Sequence, residues 1–224
     1  MDATLDVAHK AHLQYAQSIV DMMAQAAQAR GTGIAQRTPE YISEKIEQGK
    51  AVIAMYQNKV VGFCYIETWS HHRYVANSGL IVHPDFRRTG LAKAIKQRIF
   101  ELSREKYPEA KIFGITTSLA VMKINSDLGY KPVTFSELTD DEAFWKGCQS
   151  CKNYDILQRT TRRHCLCTGM LYTGNANNGQ QQAQAPKAKA NKSERWERFK
   201  RFLQLNKFKP LRKKKPILVK LNLF

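Results

Sequence analysis

Apolar residues recur at helical spacing over residues 12–29, at Leu13, Ala16, Val20, Met23, Ala24 and Ala27, which predicts an amphipathic helix. Arg30-Gly31-Thr32-Gly33 ends it, since glycine supplies a positive φ. A second helix starts at Thr38, a capping residue followed by Pro39 and Glu40, and stops at Gly49. The period then becomes strand-like. Residues 51–56 and 60–69 flank a Gln57-Asn58 turn, and the longer strand is apolar on both faces, so it reads as central. The turn Ser70–Arg73 leads to a strand over 75–82, ended by Pro84. A helix over 90–106 carries Leu91, Ala94, Ile95, Ile99 and Leu102 inward. A buried strand over 111–117, a helix over 119–128 ended by Gly129, and a strand over 131–135 complete the pattern. The order α, α, β, β, β, α, β, α, β predicts a mixed α/β (α+β) sheet, antiparallel first, with a βαβ crossover in the middle.

Beyond residue 136 the pattern weakens. Residues 137–155 are acidic and aromatic and read as helical, and 156–173 read as a strand pair. Residues 174–192 are of low complexity and read as a linker. Residues 193–224 read as a basic amphipathic tail, with Trp196, Phe199, Phe202 and Leu203 on one side of a helix over 193–205. The domain expectation is 1–173, with 137–173 as a cysteine-bearing extension, then linker and tail.

Charge sharpens this division. The net charge is +17, but residues 175–224 hold 14 Lys and Arg against 2 acidic residues, so the folded part is only mildly basic. Lys213-Lys214-Lys215, with Arg212 and the tail aromatics, suits weak contact with RNA or an anionic surface, or else a solvated appendage. No stretch approaches the ~18–20 apolar residues of a membrane span. The first residues lack the basic-then-apolar pattern of a secretory signal, so a cytoplasmic location is expected. A homodimer is compatible with the sequence but not required by it.

Candidate chemistry centres on Leu80–Ala92, LIVHPDFRRTGLA. A strand runs through a short turn into a helix, whose first N–H groups and dipole favour an anion. Gly90 lets the backbone approach a phosphate, and Arg87 and Arg88 add charge. Val82-x-Pro84-x-Phe86-Arg87-x-x-Gly90-x-Ala92 resembles the pyrophosphate signature of the GCN5-related N-acetyltransferases, the GNAT family. The flanking strands and Gly129-Tyr130, where the family has Gly-Phe, extend the resemblance over residues 10–135. It implies acetyl-CoA or succinyl-CoA as co-substrate, with the pyrophosphate on Arg87, Arg88, Thr89, Gly90, Leu91 and Ala92. It places the pantetheine arm along Leu80, Ile81 and Val82, between splayed strands, and adds Ser118 to the CoA site. The Ile81 amide would polarise the thioester carbonyl.

Direct transfer to an amine also needs a base and a proton for the departing thiolate. The sequence departs from the family at both. Val75-Ala76-Asn77-Ser78 stands where many relatives have Glu, and Asn125 stands where many have Tyr; an amide is no proton acid. Glu67, at the end of the long strand, is the base candidate, with His71 and His72 as alternatives. The stretch Gly33–Ile42 and the strand Phe113–Thr117 resemble N-acetylglutamate synthase acetyltransferase domains. They imply an acceptor held by Arg30, Arg37 and Thr116, the arginines binding two carboxylates. An arginine beside a helix cap is also an ordinary surface feature. FWKGCQSCKNYDIL and CLCTGMLY resemble a Bacteroidetes GNAT type associated with arginine biosynthesis. The expected activity is acyl transfer to an amino acid, L-glutamate first. A peptide amine acceptor and a non-catalytic CoA- or RNA-binding module are the alternatives.

Of five cysteines, Cys64 is alone. Cys148-x-x-Cys151 and Cys165-x-Cys167 are two close pairs, readable as a structural four-thiolate zinc site or as reduced thiols.

Overall fold

The computed structural model describes residues 3–31 and 36–174. The linker, the tail and residues 32–35 lie outside the described residues, as do the readings that fall on them. Strands β1 (Thr4–Val7), β2 (Ala51–Tyr56), β3 (Lys59–Trp69), β4 (Tyr74–Val82), β5 (Lys111–Thr116), β6 (Lys131–Val133) and β7 (Thr168–Tyr172) form one sheet in the order β1-β2-β3-β4-β5-β7-β6. All neighbours are antiparallel except β4 and β5, which are parallel. The helices are α1 (Ala16–Arg30), α2 (Pro39–Glu47), α3 (Leu91–Lys106), α4 (Leu119–Asp127), α5 (Glu142–Lys146) and α6 (Tyr154–Arg159). No helix among the described residues is long and apolar enough to cross a membrane.

The predicted helix ends hold. Gly31 takes φ +73° and closes α1, and the Thr38 hydroxyl accepts the Tyr41 N–H at 3.3 Å to cap α2. β3 is central and buried over Val61–Ile66. Three differences stand out. A 3₁₀ turn at Lys10–Tyr15 precedes α1, so the α-helix starts later than its apolar spacing suggests. β1 is an edge strand whose alternating exposure gave little apolar signal. The expected strand pair over 156–173 is instead helix α6 followed by the single strand β7, which enters the sheet between β5 and β6.

The sheet has a core on each side. α3 packs Ile95, Ile99 and Leu102 against Cys64, Ile66 and Ile112. There Gly62 makes room for α3, because a Cβ would lie 2.4 Å from the tip of the Ile95 side chain and displace it. α1 and α2 bury Ile19, Met23, Ile42 and Ile46 against Ile53 and Phe63. A third cluster, around Phe113, Phe135, Trp145 and Leu157, seats residues 135–167.

β4 bears the one irregularity that shapes the site. Phe63 pairs with Ile81 and Tyr65 with Ser78, so Gly79 and Leu80 together oppose Cys64. Such a bulge bends its strand. Gly79 has φ +66°, and a Cβ there would lie 2.2 Å from the Tyr65 ring. Gly79→Ala is therefore expected to lose about 2 kcal/mol of unfolding free energy in urea melts, through strain and overpacking; an unchanged midpoint would show that the bulge tolerates a side chain.

Candidate active site

The turn between β4 and α3 is built to present N–H groups. Pro84–Phe86 forms a 3₁₀ turn anchored by buried Phe86, and the Thr89 hydroxyl donates to the Phe86 carbonyl at 2.7 Å. Arg88 and Gly90 take φ +68° and +90°, which turns the chain into α3. The first N–H groups of α3 have no partner within the helix. A Cβ at Gly90 meets nothing within 4 Å, so the space before the turn is open. Arg87 and Arg88 are exposed beside it, and Arg87 Nε donates to the Val82 carbonyl at 3.4 Å. The side chains of Leu91, Ile81 and Val82 point into the cores, and the Ile81 backbone is engaged with Phe63 of β3, so the expected Ile81 amide faces away from the cleft.

Upstream of this turn the sheet forks. β4 pairs with β5 only at Tyr74–Ala76 with Lys111–Phe113. From Asn77 and Gly114 onward the strands separate, and a cleft of about 490 Å³ opens between them. Asn77–Ile81 line one side and Gly114–Thr116 the other. Arg37, Tyr41, Tyr65 and Glu67 line the end beneath α1 and α2, while Trp69, Phe113, Phe144, Tyr154 and the four paired cysteines line the end toward the extension.

Glu67 sits at the fork with a side chain only 13% exposed. Its Oε1 is 3.5 Å from Arg37 Nη2, and the Ser78 hydroxyl donates to Oε2 at 3.4 Å. Burial holds its carboxyl above the ordinary glutamate range, partly offset by Arg37 and then Ser78. Arg37 also donates from Nε to the Tyr65 hydroxyl at 2.9 Å and lies over the Tyr41 ring at 4.9 Å. The expected base and the expected carboxylate clamp are thus partners, so an incoming carboxylate competes with Glu67 for one guanidinium.

Other expected residues fall less centrally. His71 and His72 lie in the exposed Ser70–Arg73 turn, both at positive φ, outside the cleft lining. Asn125 is 1% exposed and lies behind Gly114, where its Nδ2 donates to Met170 Sδ at 3.7 Å; its Oδ1 has no partner among the described residues. The Ser118 hydroxyl caps α4, and its N–H donates to Thr116 Oγ1 at 3.0 Å. Arg30 ends α1, and its side chain lies outside the described residues.

The four paired cysteines are free and half-buried along one wall. Burial, then neighbouring thiols, push Cys148 up to about 11 and Cys167 up to about 12. As placed, no three His, Cys, Asp or Glu side chains among the described residues form a metal-ligand group.

Sequence reading missed a buried polar network behind the fork. Asn77 Oδ1 accepts from Lys96 Nζ at 3.2 Å and from the Tyr130 hydroxyl at 3.0 Å, while Nδ2 donates to Ser103 Oγ at 2.7 Å. Burial lowers Lys96 to about 8. The available signal was that Lys96 and Ser103 fall on the inner stripe of α3.

Residues 18–120 match the acetyltransferase (GNAT) family, from α1 into the start of α4. Those residues, 18–120, belong to that family, and its acetyltransferase activity is of the EC 2.3.1 type. Solved structures with its fold include Salmonella typhimurium yncA, a putative acetyltransferase with acetyl-CoA, at TM-score 0.55 and 14% identity, covering 81% of this chain and 99% of that one. The phosphinothricin acetyltransferase of Sinorhizobium meliloti with AcCoA matches at 0.52 and 15%, covering 85% and 98%. The Neisseria gonorrhoeae N-acetylglutamate synthase, complexed with coenzyme A and N-acetyl-glutamate, matches at 0.53 and 14%. That match covers 76% of this GNAT chain, which spans about a third (35%) of the synthase. A comparison with curated protein sequences finds no match.

The Glu67–Arg37 geometry predicts a titration. In the GNAT chain Glu67 should lose its proton above the ordinary glutamate value, and Arg37→Gln should move that midpoint further up by removing the nearest cation. Carboxyl-labelled glutamate NMR reads both; a Glu67 midpoint unmoved by Arg37→Gln would mean the two are not coupled.

Proposed function

We propose that this GNAT chain moves an acetyl or succinyl group from acyl-CoA to the amine of an amino acid, with L-glutamate in arginine biosynthesis the first-choice acceptor. The observation that carries this reading is the fork. A strand whose far end runs into an anion-ready turn separates from its neighbour beside a half-desolvated carboxylate.

The acyl-CoA pyrophosphate meets the N–H groups at Gly90–Ala92, with Arg87 and Arg88 beside it. The pantetheine arm lies along Leu80–Val82, on the edge of β4 that β5 leaves uncovered beyond Ala76. Glu67 takes a proton from the acceptor ammonium. The amine nitrogen then bonds to the carbonyl carbon, the C–S bond breaks, and a water relays that nitrogen's surplus proton to the departing thiolate, since Asn125 has no acidic proton to give. Arg37 receives the acceptor carboxylate. Drawing Arg37 away from Glu67 makes Glu67 a stronger base, so acceptor binding activates its own deprotonation.

The likeness of Gly33–Ile42 to N-acetylglutamate synthases supports glutamate, with Arg30 as a second anchor. The aromatic wall of Trp69, Phe113, Phe144 and Tyr154 favours a second acceptor, an amine with a bulky apolar group, including a peptide end.

Thiol release with acetyl-CoA and succinyl-CoA, each against glutamate and a panel of amino acids and peptides, tests the reading. Turnover is expected with glutamate, rising with pH through the raised Glu67 midpoint; turnover with no amine would remove the enzyme assignment. Glu67→Gln should lower kcat about 10²–10⁴-fold. Arg37→Ala should raise the acceptor KM and leave that of acyl-CoA nearly unchanged, and an equal loss for both would argue against the clamp. Gly90→Glu puts a carboxylate in the open space before the turn and should abolish CoA binding by calorimetry, whereas Gly90→Ala, which carries the strain of φ +90° without the charge, should bind more weakly but measurably. Retained micromolar affinity in Gly90→Glu would sink the phosphate assignment.

A further inference from the structure

The transfer chemistry makes no use of the four paired thiols, yet they come together from two distant segments. Cys148 and Cys151 lie on one backbone turn, with the Cys151 N–H donating to the Cys148 carbonyl at 3.0 Å. Cys165 and Cys167 lie just before β7. Cys148, Cys165 and Cys167 pack into one cluster with Trp145, Leu157 and Phe113, and all four thiols line the same wall of the cleft.

Two further observations bear on what joins them. Between β6 and β7 the regular structure is a 3₁₀ turn at Phe135–Glu137 and the helices α5 and α6, of five and six residues. Helices this short are marginal by themselves. The charge of the segment is also nearly balanced. Over residues 140–167 Lys146, Lys152, Arg159, Arg162 and Arg163 stand against Asp140, Asp141, Glu142 and Asp155, and Arg162 is paired with Glu142 at 2.6 Å, which ties the turn after α6 to α5.

We propose that Cys148, Cys151, Cys165 and Cys167 bind one zinc ion, which clamps the segment between α5 and β7 as the fixed wall of the cleft. Two close thiol pairs make a closed tetrahedral set with no position left for a reacting water, so the ion is structural. Binding takes up Zn²⁺ and releases one proton from each thiol. It requires the side chains to turn inward from their present positions, which do not form a ligand group. The effect on acceptor binding rests on the acyltransfer reading; the metal site does not.

The full-length chain, purified without chelator, should carry about one zinc. Its paired thiols should resist a thiol reagent until a mercurial releases the metal, and Cys148→Ser or Cys165→Ser should lose it. A metal-free chain with these thiols immediately reactive, or paired as disulfides, would overturn the site. Limited proteolysis within 142–167 should accelerate on zinc removal from chain that keeps its circular dichroism; an unchanged rate would overturn the clamp. In an active preparation the acceptor KM should then rise on the order of tenfold or more, with acyl-CoA affinity held within about twofold. Zinc binding and protease protection without turnover on any amine would uphold this site and reject the acyltransfer reading instead.

Discussion

The structure depends on where β4 and β5 stop pairing. A parallel sheet does not open at no cost, because each broken pair exposes backbone donors and acceptors. Here the opening is built in from both faces. On one, the bulge at Gly79 and Leu80 bends β4 while its outer pairing to β3 continues through Val82. On the other, Asn77, the first residue past the last pair, is tied by its amide to Lys96, Tyr130 and Ser103. A buried ammonium is costly unless its protons are satisfied. The amide meets part of that need, and it gives β4 a fixed attachment to α3 at the point where it leaves β5.

The same fork sets the electrostatics of the cleft. Glu67 lies opposite Ala76 across the β3–β4 pair, the last residue of β4 still joined to β5. Its carboxylate is therefore half-desolvated and faces the space a ligand would enter. Arg37 is stacked on Tyr41 and bonded to Tyr65, the ring that Gly79 must accommodate. Bulge, ring, guanidinium and carboxylate form one chain of contacts. The geometry that opens the sheet also fixes the distance between the two charges.

Much of this was legible in the sequence where the signal is local. The Thr38-Pro39-Glu40 cap, Gly31, the two-faced apolar run of β3 and the turn through Gly90 each depend on residues within a few positions, and each is found as expected. What was not legible is pairing over distance. Arg37 and Glu67 are thirty residues apart and were assigned separate roles, though they share one ion pair. Lys96 drew no reading of its own because its partner Asn77 lies on another element. The strand Thr168–Tyr172 was expected, but its place between β5 and β6 depends on two edges that no local pattern marks.

That placement has a physical reason. Once β5 leaves β4 at Gly114, its inner edge faces the cleft. If its outer edge were also free, Gly114–Thr116 would be a strand without neighbours. β7 covers that outer edge without interruption, pairing Ile112–Thr116 with Tyr172–Thr168. β6 then pairs with the far side of β7. The sheet can therefore open on one side of β5 because it is closed on the other. The residues that close it are the last of the cysteine-bearing extension, so that extension is part of the sheet on which the cleft is built.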